Sequence, residues 1–343
     1  MENEGTYLHS ERTSAAKDMM KKSLVLEKHR DKLHIVTLVI TLEILAMNEE
    51  ISVTTDGAAE AVSDRKPRDS ELDIYGLTHI GHLRKTNQDH FLISMLRREV
   101  RIMQTSLRTP PNVSSSERLA LLACVADGVG SSVMGEEAAR LAVERVMAYV
   151  MECANCYYAS DELDGESLSR SLAKAALRVH ADIAKERAEG PIEASNMATT
   201  LTLWLGVWPK AYLVQVGDSR CYVMRDGVLA QISRDQTMAQ DLVEMGAMTR
   251  TQAERSPLSH VLSSAIGGET ALPVVTMMEQ SWDSIGLLCS DGLTKHVSDE
   301  QIAHRLKTMT SAKQVCETLL QDALDAGGSD NVTIVVGRPT ARA

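Results

Sequence analysis

Apolar positions divide the chain from about residue 70 onward into short strands and longer helices. Residues 72–78 alternate and predict a strand, and residues 91–96 predict a second. The unbroken apolar run at 119–126 predicts a strand buried on both faces. Over 135–150 the apolar residues Ala138, Leu141, Ala142, Val146 and Met147 recur at helical spacing, and 165–188 predicts a second long helix. Strands at 198–207 and 211–216 pair, and an Asp226-Gly227 turn joins strands at 221–224 and 229–232 as a hairpin. A short helix at 237–246, a buried strand at 285–289, helices near 299–308 and 311–325, and a closing strand at 332–336 complete the pattern. The strands come in antiparallel groups instead of alternating with helices, which predicts an α+β fold of sheets layered against helices.

Residues 1–70 read as an N-terminal extension and linker, disordered or regulatory, preceding a domain at 71–338 and a tail at 339–343. Within the extension, 11–33 is charged and helix-compatible, and 35–47 is an apolar run that fits either a strand or a buried helical turn. Residues 48–70 are polar and acidic, and the stretch Asp64-Arg65-Lys66-Pro67-Arg68-Asp69 has linker composition. Pro110-Pro111 and the following serines mark 104–117 as a mobile hairpin loop.

Composition narrows the function. The chain has 343 residues and a net charge of -11, which argues against nucleic acid as a partner and suits a site crowded with carboxylates. Only one Phe is present, so aliphatic side chains, Ala and Met must fill the core. Of six cysteines, Cys124, Cys221, Cys289 and Cys316 lie in apolar or helical surroundings, as small core residues do. Cys153 and Cys156 form a C-x-x-C with no second pair at zinc spacing. A reducing, cytoplasmic location is expected. The 35–47 run contains Glu43 and falls short of the roughly 20 residues a span requires, so no membrane span is expected, and it starts too late for a signal peptide.

The chemistry lies where apolar strands end in acids. Asp127 follows the 119–126 run and precedes Gly128, whose backbone can offer a carbonyl close to a ligand. Asp89, Asp218, Asp291 and Asp330 stand at comparable strand ends or turns. Carboxylates gathered at one sheet rim repel and raise one another's pKa, a penalty that Mg²⁺ or Mn²⁺ removes. Two ions about 4 Å apart can share a water and make it a hydroxide near neutral pH. Arg84 supplies a planar fork suited to a phosphate oxygen pair. Together these predict phosphate-ester hydrolysis by in-line attack. No G-x-S-x-G elbow, P-loop or H-E-x-x-H spacing occurs, and His260 and His296 read as surface or loop residues.

The ordered blocks Arg84-x-x-Asn87-x-Asp89, Ala126-Asp127-Gly128-Val129-Gly130 with Gly135-Glu136, Thr199-Thr200-Leu201, Gly217-Asp218-Ser219-Arg220, Leu288-Cys289-Ser290-Asp291-Gly292-Leu293-Thr294 and Gly328-Ser329-Asp330-Asn331 resemble the PPM-type, or type 2C, metal-dependent protein serine/threonine phosphatases, most of all their compact bacterial branch. The resemblance covers about residues 70–337. It implies two stacked antiparallel sheets flanked by helices, with two Mn²⁺ or Mg²⁺ ions at one end. It implies that Asp127 bridges the ions, that the Gly128 carbonyl serves the second, that Asp291 and Asp330 complete the first, and that Asp89 lies near the second. A metal-bridging hydroxide would then attack phosphoserine or phosphothreonine held by Arg84. The implied partners are phosphorylated proteins, opposing a serine/threonine kinase, with a monomer favoured.

Three positions depart from the family pattern. Gly130-Ser131-Ser132 stands where Gly-Gly-His is usual, and serine cannot replace His as an acid, so water or another residue must serve. Gln88 stands where an acid is common. Lys295 replaces an acid that, with residues matching Asp218 and Asp291, holds a third ion, so no strong third site is expected; if the ammonium reaches Asp218, that ion pair takes the site's place. These departures leave open a catalytically weak regulatory or binding module of the same fold, and a small-molecule phosphohydrolase is a third reading.

Overall fold

A computed structural model describes residues 65–98, 117–129, 133–159, 165–191, 194 and 196–340, with side chains except at 155–159. All of these belong to one compact unit spanning 63–343. The expectations for residues 11–33, 35–47 and 104–116, for the Gly130-Ser131-Ser132 triplet and for the Cys156 side chain lie outside what is described.

Among the described residues, ten strands form two five-stranded antiparallel sheets. One has the order β1 (Leu72–His79), β10 (Val332–Pro339), β9 (Ile285–Cys289), β6 (Arg220–Arg225), β7 (Val228–Gln231). The other runs β2 (Asp89–Arg98), β3 (Glu117–Asp127), β4 (Leu201–Val207), β5 (Lys210–Val216), β8 (Val274–Glu279). Two long helices, α1 (Val133–Ala159) and α2 (Gly165–Glu189), cover the second sheet. Two short helices, α3 (Met238–Glu244) and α4 (Arg250–Glu254), follow the hairpin. After β9 come α5 (Asp291–Thr294), α6 (Asp299–Lys307) and α7 (Ala312–Asp325), the last two covering the first sheet. The result is the four-layer αββα sandwich expected from the resemblance.

Period-two alternation explains the layering. In β3, Ala120, Leu122, Cys124 and Ala126 pack towards α1 and α2, while Ala123 and Val125 point into the seam between the sheets. In β10, Val332, Ile334 and Val336 face α6 and α7, and Val335 faces the seam. The larger side chains of the seam include Leu213, Leu288, Trp204 and the lone Phe91. The Asp226-Gly227 turn has positive φ at both residues (51° and 74°), the geometry of a type I′ hairpin turn. Ser298 and Ser311 cap α6 and α7, each accepting a backbone N–H three residues on.

Several elements differ from the sequence reading. The β2 strand begins two residues early, so Asp89 is its first residue and not part of the loop. The edge strand β8 follows no clean alternation and was not anticipated. The segment with linker composition is held against the sandwich: Arg65 pairs with Glu71 at 2.7 Å and stacks 4.7 Å from the Trp282 ring centroid, and Arg118 pairs with Asp69 at 2.7 Å. Residues 339–343 read as tail, yet Pro339 ends β10 and the Thr340 N–H bonds the Glu71 carbonyl at 2.7 Å. Cys124, Cys221, Cys289 and Cys316 are buried free thiols, as expected. Among the described residues no helix is long and apolar enough to cross a membrane.

Candidate metal centre

The acids gather at one end of the inter-sheet seam, and the strand period puts them there. Asp127 continues the Ala123, Val125 face of β3, and Asp89 continues the Phe91, Ile93 face of β2. The two acids face each other directly across the β2–β3 ladder. Asp291 opens α5, immediately after β9, and Asp330 sits in the turn leading into β10. Asp218 lies in the turn between β5 and β6, where Gly217 adopts φ +104°.

Backbone and side-chain ties hold this rim in shape. The Asp127 N–H bonds Thr200 Oγ1 at 3.0 Å, and Thr199 Oγ1 donates to the Asp127 carbonyl at 2.8 Å. Thr200 Oγ1 also meets Ser219 Oγ at 2.7 Å beside Asp218. A Cβ at Gly128 would lie 2.3 Å from the Gly135 carbonyl oxygen and 3.0 Å from that of Gln88, so only glycine fits. Gln88 is 4 % exposed. Its carbonyl accepts the Gly128 N–H at 3.2 Å, and its own N–H donates to Asn331 Oδ1 at 2.9 Å. Asn331 in turn donates to the carbonyls of Ile80 at 2.9 Å and Thr86 at 3.0 Å, clamping the loop that carries Arg84.

The electrostatics divide the acids into two groups. Asp89 is 2 % exposed; its Oδ2 accepts from Ser290 Oγ and Thr333 Oγ1, both at 2.7 Å, while its Oδ1 is buried without a partner. Burial pushes its pKa up to about 6, against the two hydroxyl donors, and the charge of Asp291 adds to the rise. Asp127 is raised well above the carboxylate range, by burial first and then by Asp89, Asp291, Asp218 and Asp330. Asp218 is pushed up to about 8 by burial, with Asp291 and Asp235 adding and Lys295 opposing.

Asp330 differs. Burial would raise it, but hydrogen bonds from Arg84 and Lys295 outweigh that and hold it below the ordinary value. Arg84 Nε lies 2.6 Å from Asp330 Oδ1, and its Nη2 lies 2.9 Å from Oδ2. Lys295 Nζ lies 2.6 Å from Asp291 Oδ2 and 2.7 Å from Asp330 Oδ2. This corrects the pairing of Lys295 with Asp218 that the sequence left open. Lys295 is four residues after Asp291 at the end of α5, so helical geometry directs its ammonium back over Asp291.

The donor set fits a divalent cation. It consists of hard carboxylate oxygens with the tightly packed Gly128 backbone beside them. The Oδ1 atoms of Asp89 and Asp291 are both buried with no hydrogen-bond partner, which is costly unless something positive meets them. As they stand among the described residues, no three Asp, Glu, His or Cys side chains close around one point; two of the acids hold cations of the chain itself.

Four supporting residues were not singled out as site residues from the sequence: Ser290, Thr333, Asn331 and His296. Ser290 and Thr333 flank the buried Asp89. Thr333 lies on the seam face one strand period before Val335, a signal readable only once that face is known. His296 read as a surface or loop residue, yet its Nε2 accepts the Ser329 N–H at 2.9 Å and lies 2.8 Å from Ser329 Oγ, bracing the Asp330 turn. His260 is exposed at the end of a short 3₁₀ helix.

The family described as protein phosphatase 2C matches residues 112–327. The serine/threonine protein phosphatase PstP of Mycobacterium tuberculosis is 36 % identical over 217 residues, 63 % of this chain. The chain spans only 40 % of that relative's length. The serine/threonine phosphatase stp of Listeria monocytogenes is 28 % identical over 214 residues, 62 % of this chain and 82 % of the relative. The crystal structure of the PstP catalytic domain in complex with two manganese ions superposes with TM-score 0.55 at 29 % identity, covering 79 % of this chain and 99 % of that one. With that match over more than half its length, the chain belongs to the protein phosphatase 2C family of enzymes.

Proposed function

We propose that this chain is a divalent-metal-dependent protein serine/threonine phosphatase, acting on phosphoserine and phosphothreonine in phosphorylated proteins in the cytoplasm and opposing a serine/threonine kinase. The observation that carries the reading is that Asp89 and Asp127 face each other across the β2–β3 pair next to Gly128, while the Oδ1 atoms of Asp89 and Asp291 are buried without a hydrogen-bond partner. In this reading Asp127, Asp291 and Asp330 hold one Mn²⁺ or Mg²⁺, and Asp127, the Gly128 carbonyl and Asp89 hold a second. Bound there, the ions supply an activated water near neutral pH and neutralise charge on the phosphoryl group.

The chain's own residues do the rest. Asp330 engages Nε and Nη2 of Arg84, and the Arg84 side chain is 40 % exposed. The guanidinium is thereby oriented, with its Nη1 donors open to two phosphate oxygens. Asn331 fixes the loop that presents Arg84. Ser290 and Thr333 hold Asp89 in place through Oδ2 and leave Oδ1 directed into the site. The proton for the leaving alkoxide comes from water or from another residue, since serine at position 132 is too weak an acid.

A second reading, an attenuated module of the same fold, is favoured by the ammonium of Lys295 between Asp291 and Asp330. Turnover separates the two. Purified protein should hydrolyse a phosphothreonine peptide with Mn²⁺, lose that activity in excess chelator and regain it on Mn²⁺ addition. Asp127→Ala should remain folded and inactive. Full turnover in chelator, or in Asp127→Ala, refutes the metal-centre assignment; no turnover with any divalent metal favours the attenuated module.

A further inference from the structure

We infer that Lys295 is a built-in counter-cation that competes with a divalent ion for Asp291 and Asp330, so that the metal-free site rests in a self-neutralised state. The inference builds on the metal-centre reading above. Lys295 Nζ sits within hydrogen-bond reach of both acids, and Arg84 engages both oxygens of Asp330, sharing Oδ2 with Lys295. Two positive side chains therefore face two carboxylates. Among the described residues no ion pair reaches Asp89, Asp127 or Asp218, so the chain's own positive charge is confined to one half of the rim.

The placement of Lys295 is set by the fold. It closes the four-residue helix that Asp291 opens, and its side chain is 25 % exposed, against 19 % and 14 % for the two acids. An ammonium on these oxygens and a doubly charged ion on the same oxygens repel at short range, more strongly here than in bulk water because the site is partly desolvated. Metal binding through Asp291 and Asp330 must therefore displace the ammonium, and the metal affinity is lowered by the free energy of that ion pair. The ammonium also offsets carboxylate repulsion when no metal is present. Removing it should thus have two opposite effects: a less stable metal-free protein and a tighter metal complex.

The test uses the full-length chain stripped of metal. Lys295→Met removes the charge and keeps the length of the stem. Lys295→Arg keeps the charge. Lys313→Met removes one positive charge from an exposed pair with Glu317 on α7, away from the rim, and controls for net charge. Mn²⁺ binding is followed by titration calorimetry and metal-free stability by thermal unfolding. Lys295→Met should tighten Mn²⁺ binding by about tenfold or more, the equivalent of about 1.4 kcal/mol, and lower the metal-free Tm by several degrees. Lys295→Arg and Lys313→Met should do neither. In the wild type, Mg²⁺ titration should move the side-chain NMR signal of Lys295, identified by its absence from Lys295→Arg; this measurement stands even where Lys295→Met does not fold. Unchanged or weaker Mn²⁺ binding by Lys295→Met, or a Lys295 signal that Mg²⁺ leaves in place, overturns the inference while leaving the metal centre standing. Absence of Mn²⁺ binding by wild type and variants alike overturns the metal-centre reading, and the inference with it.

Discussion

Asp89 offers the sharpest link between the rim and the stability of the fold. Its carboxyl titrates at about 6 in the folded chain against 3.8 for an ordinary aspartate. Folded protein therefore holds the Asp89 proton more tightly than unfolded protein does. Stability must fall as pH rises from about 4 to about 6 and stay at the lower level above that window. At about 1.4 kcal/mol per pH unit, the charged form costs the metal-free fold about 3 kcal/mol at neutral pH. Asp89→Asn removes the charge and keeps an oxygen to accept from Ser290 and Thr333. Its amide nitrogen takes the place of the unpartnered Oδ1 and faces the carboxylate of Asp127 across the β2–β3 pair. The variant should therefore be more stable than wild type in chelator at pH 7.5. For a unit of this size each kcal/mol moves Tm by about 2–4 °C, so the gain should be roughly 6–12 °C. The gain should shrink towards zero near pH 4, where wild-type Asp89 is protonated. Calorimetric unfolding across pH 4–8 measures both features. The residual pH dependence of the variant should reflect Asp127 and Asp218, the other carboxyls raised by burial. A variant less stable than wild type at pH 7.5, or a gain independent of pH, refutes the account of Asp89 as an electrostatically strained acid. With Mn²⁺ present the order should reverse, because the variant loses a negative ligand.

Other perturbations probe other parts of the rim. Arg84→Ala removes a phosphate donor worth roughly 1.5–3 kcal/mol as a charged hydrogen bond, so kcat/KM should fall about 10- to 100-fold with Mn²⁺ affinity undiminished. Unchanged kcat/KM counts against its role. Gly128→Ala pushes a methyl group into two backbone carbonyls, where neither neighbour is a flexible side chain. Chemical denaturation should show a loss of about 1–3 kcal/mol together with weakened Mn²⁺ binding, and a variant with wild-type values would show that the loop yields freely. Asn331→Ala breaks three hydrogen bonds of a residue that is 5 % exposed, one of them accepted from the Gln88 N–H. A loss of about 2–4 kcal/mol and a raised KM should follow, through the loop of Arg84; a stability loss with KM unchanged would separate the clamp from substrate binding.

Much of this protein follows from local patterns. The apolar run at 119–126 defines a buried strand, and the strand period already implies that Asp127 shares a face with Val125 and Ala123, because side chains repeat every second residue. The Asp226-Gly227 hairpin and the buried run at 285–289 are likewise short-range, and the structure matches them closely. The six ordered blocks carry the family and, through it, the αββα sandwich. What the linear chain did not contain is who meets whom across distance. Asp89 falls before the strand predicted at 91–96, because its own neighbours are polar; pairing with Asp127 in the β2–β3 ladder makes it a strand residue. The edge strand β8 is stabilised by β5 and by no pattern of its own. Gly128 required glycine because of Gly135 and Gln88, and Gln88 proved to be a tie between loops. The sequence left Asp218 open as a partner of Lys295, yet helix geometry and the Asp330 turn bring its ammonium to Asp291 and Asp330. Strand period and capping act over a few residues and are written locally. The partner of a charged side chain is chosen by the convergence of segments far apart in sequence, and only the folded chain decides it.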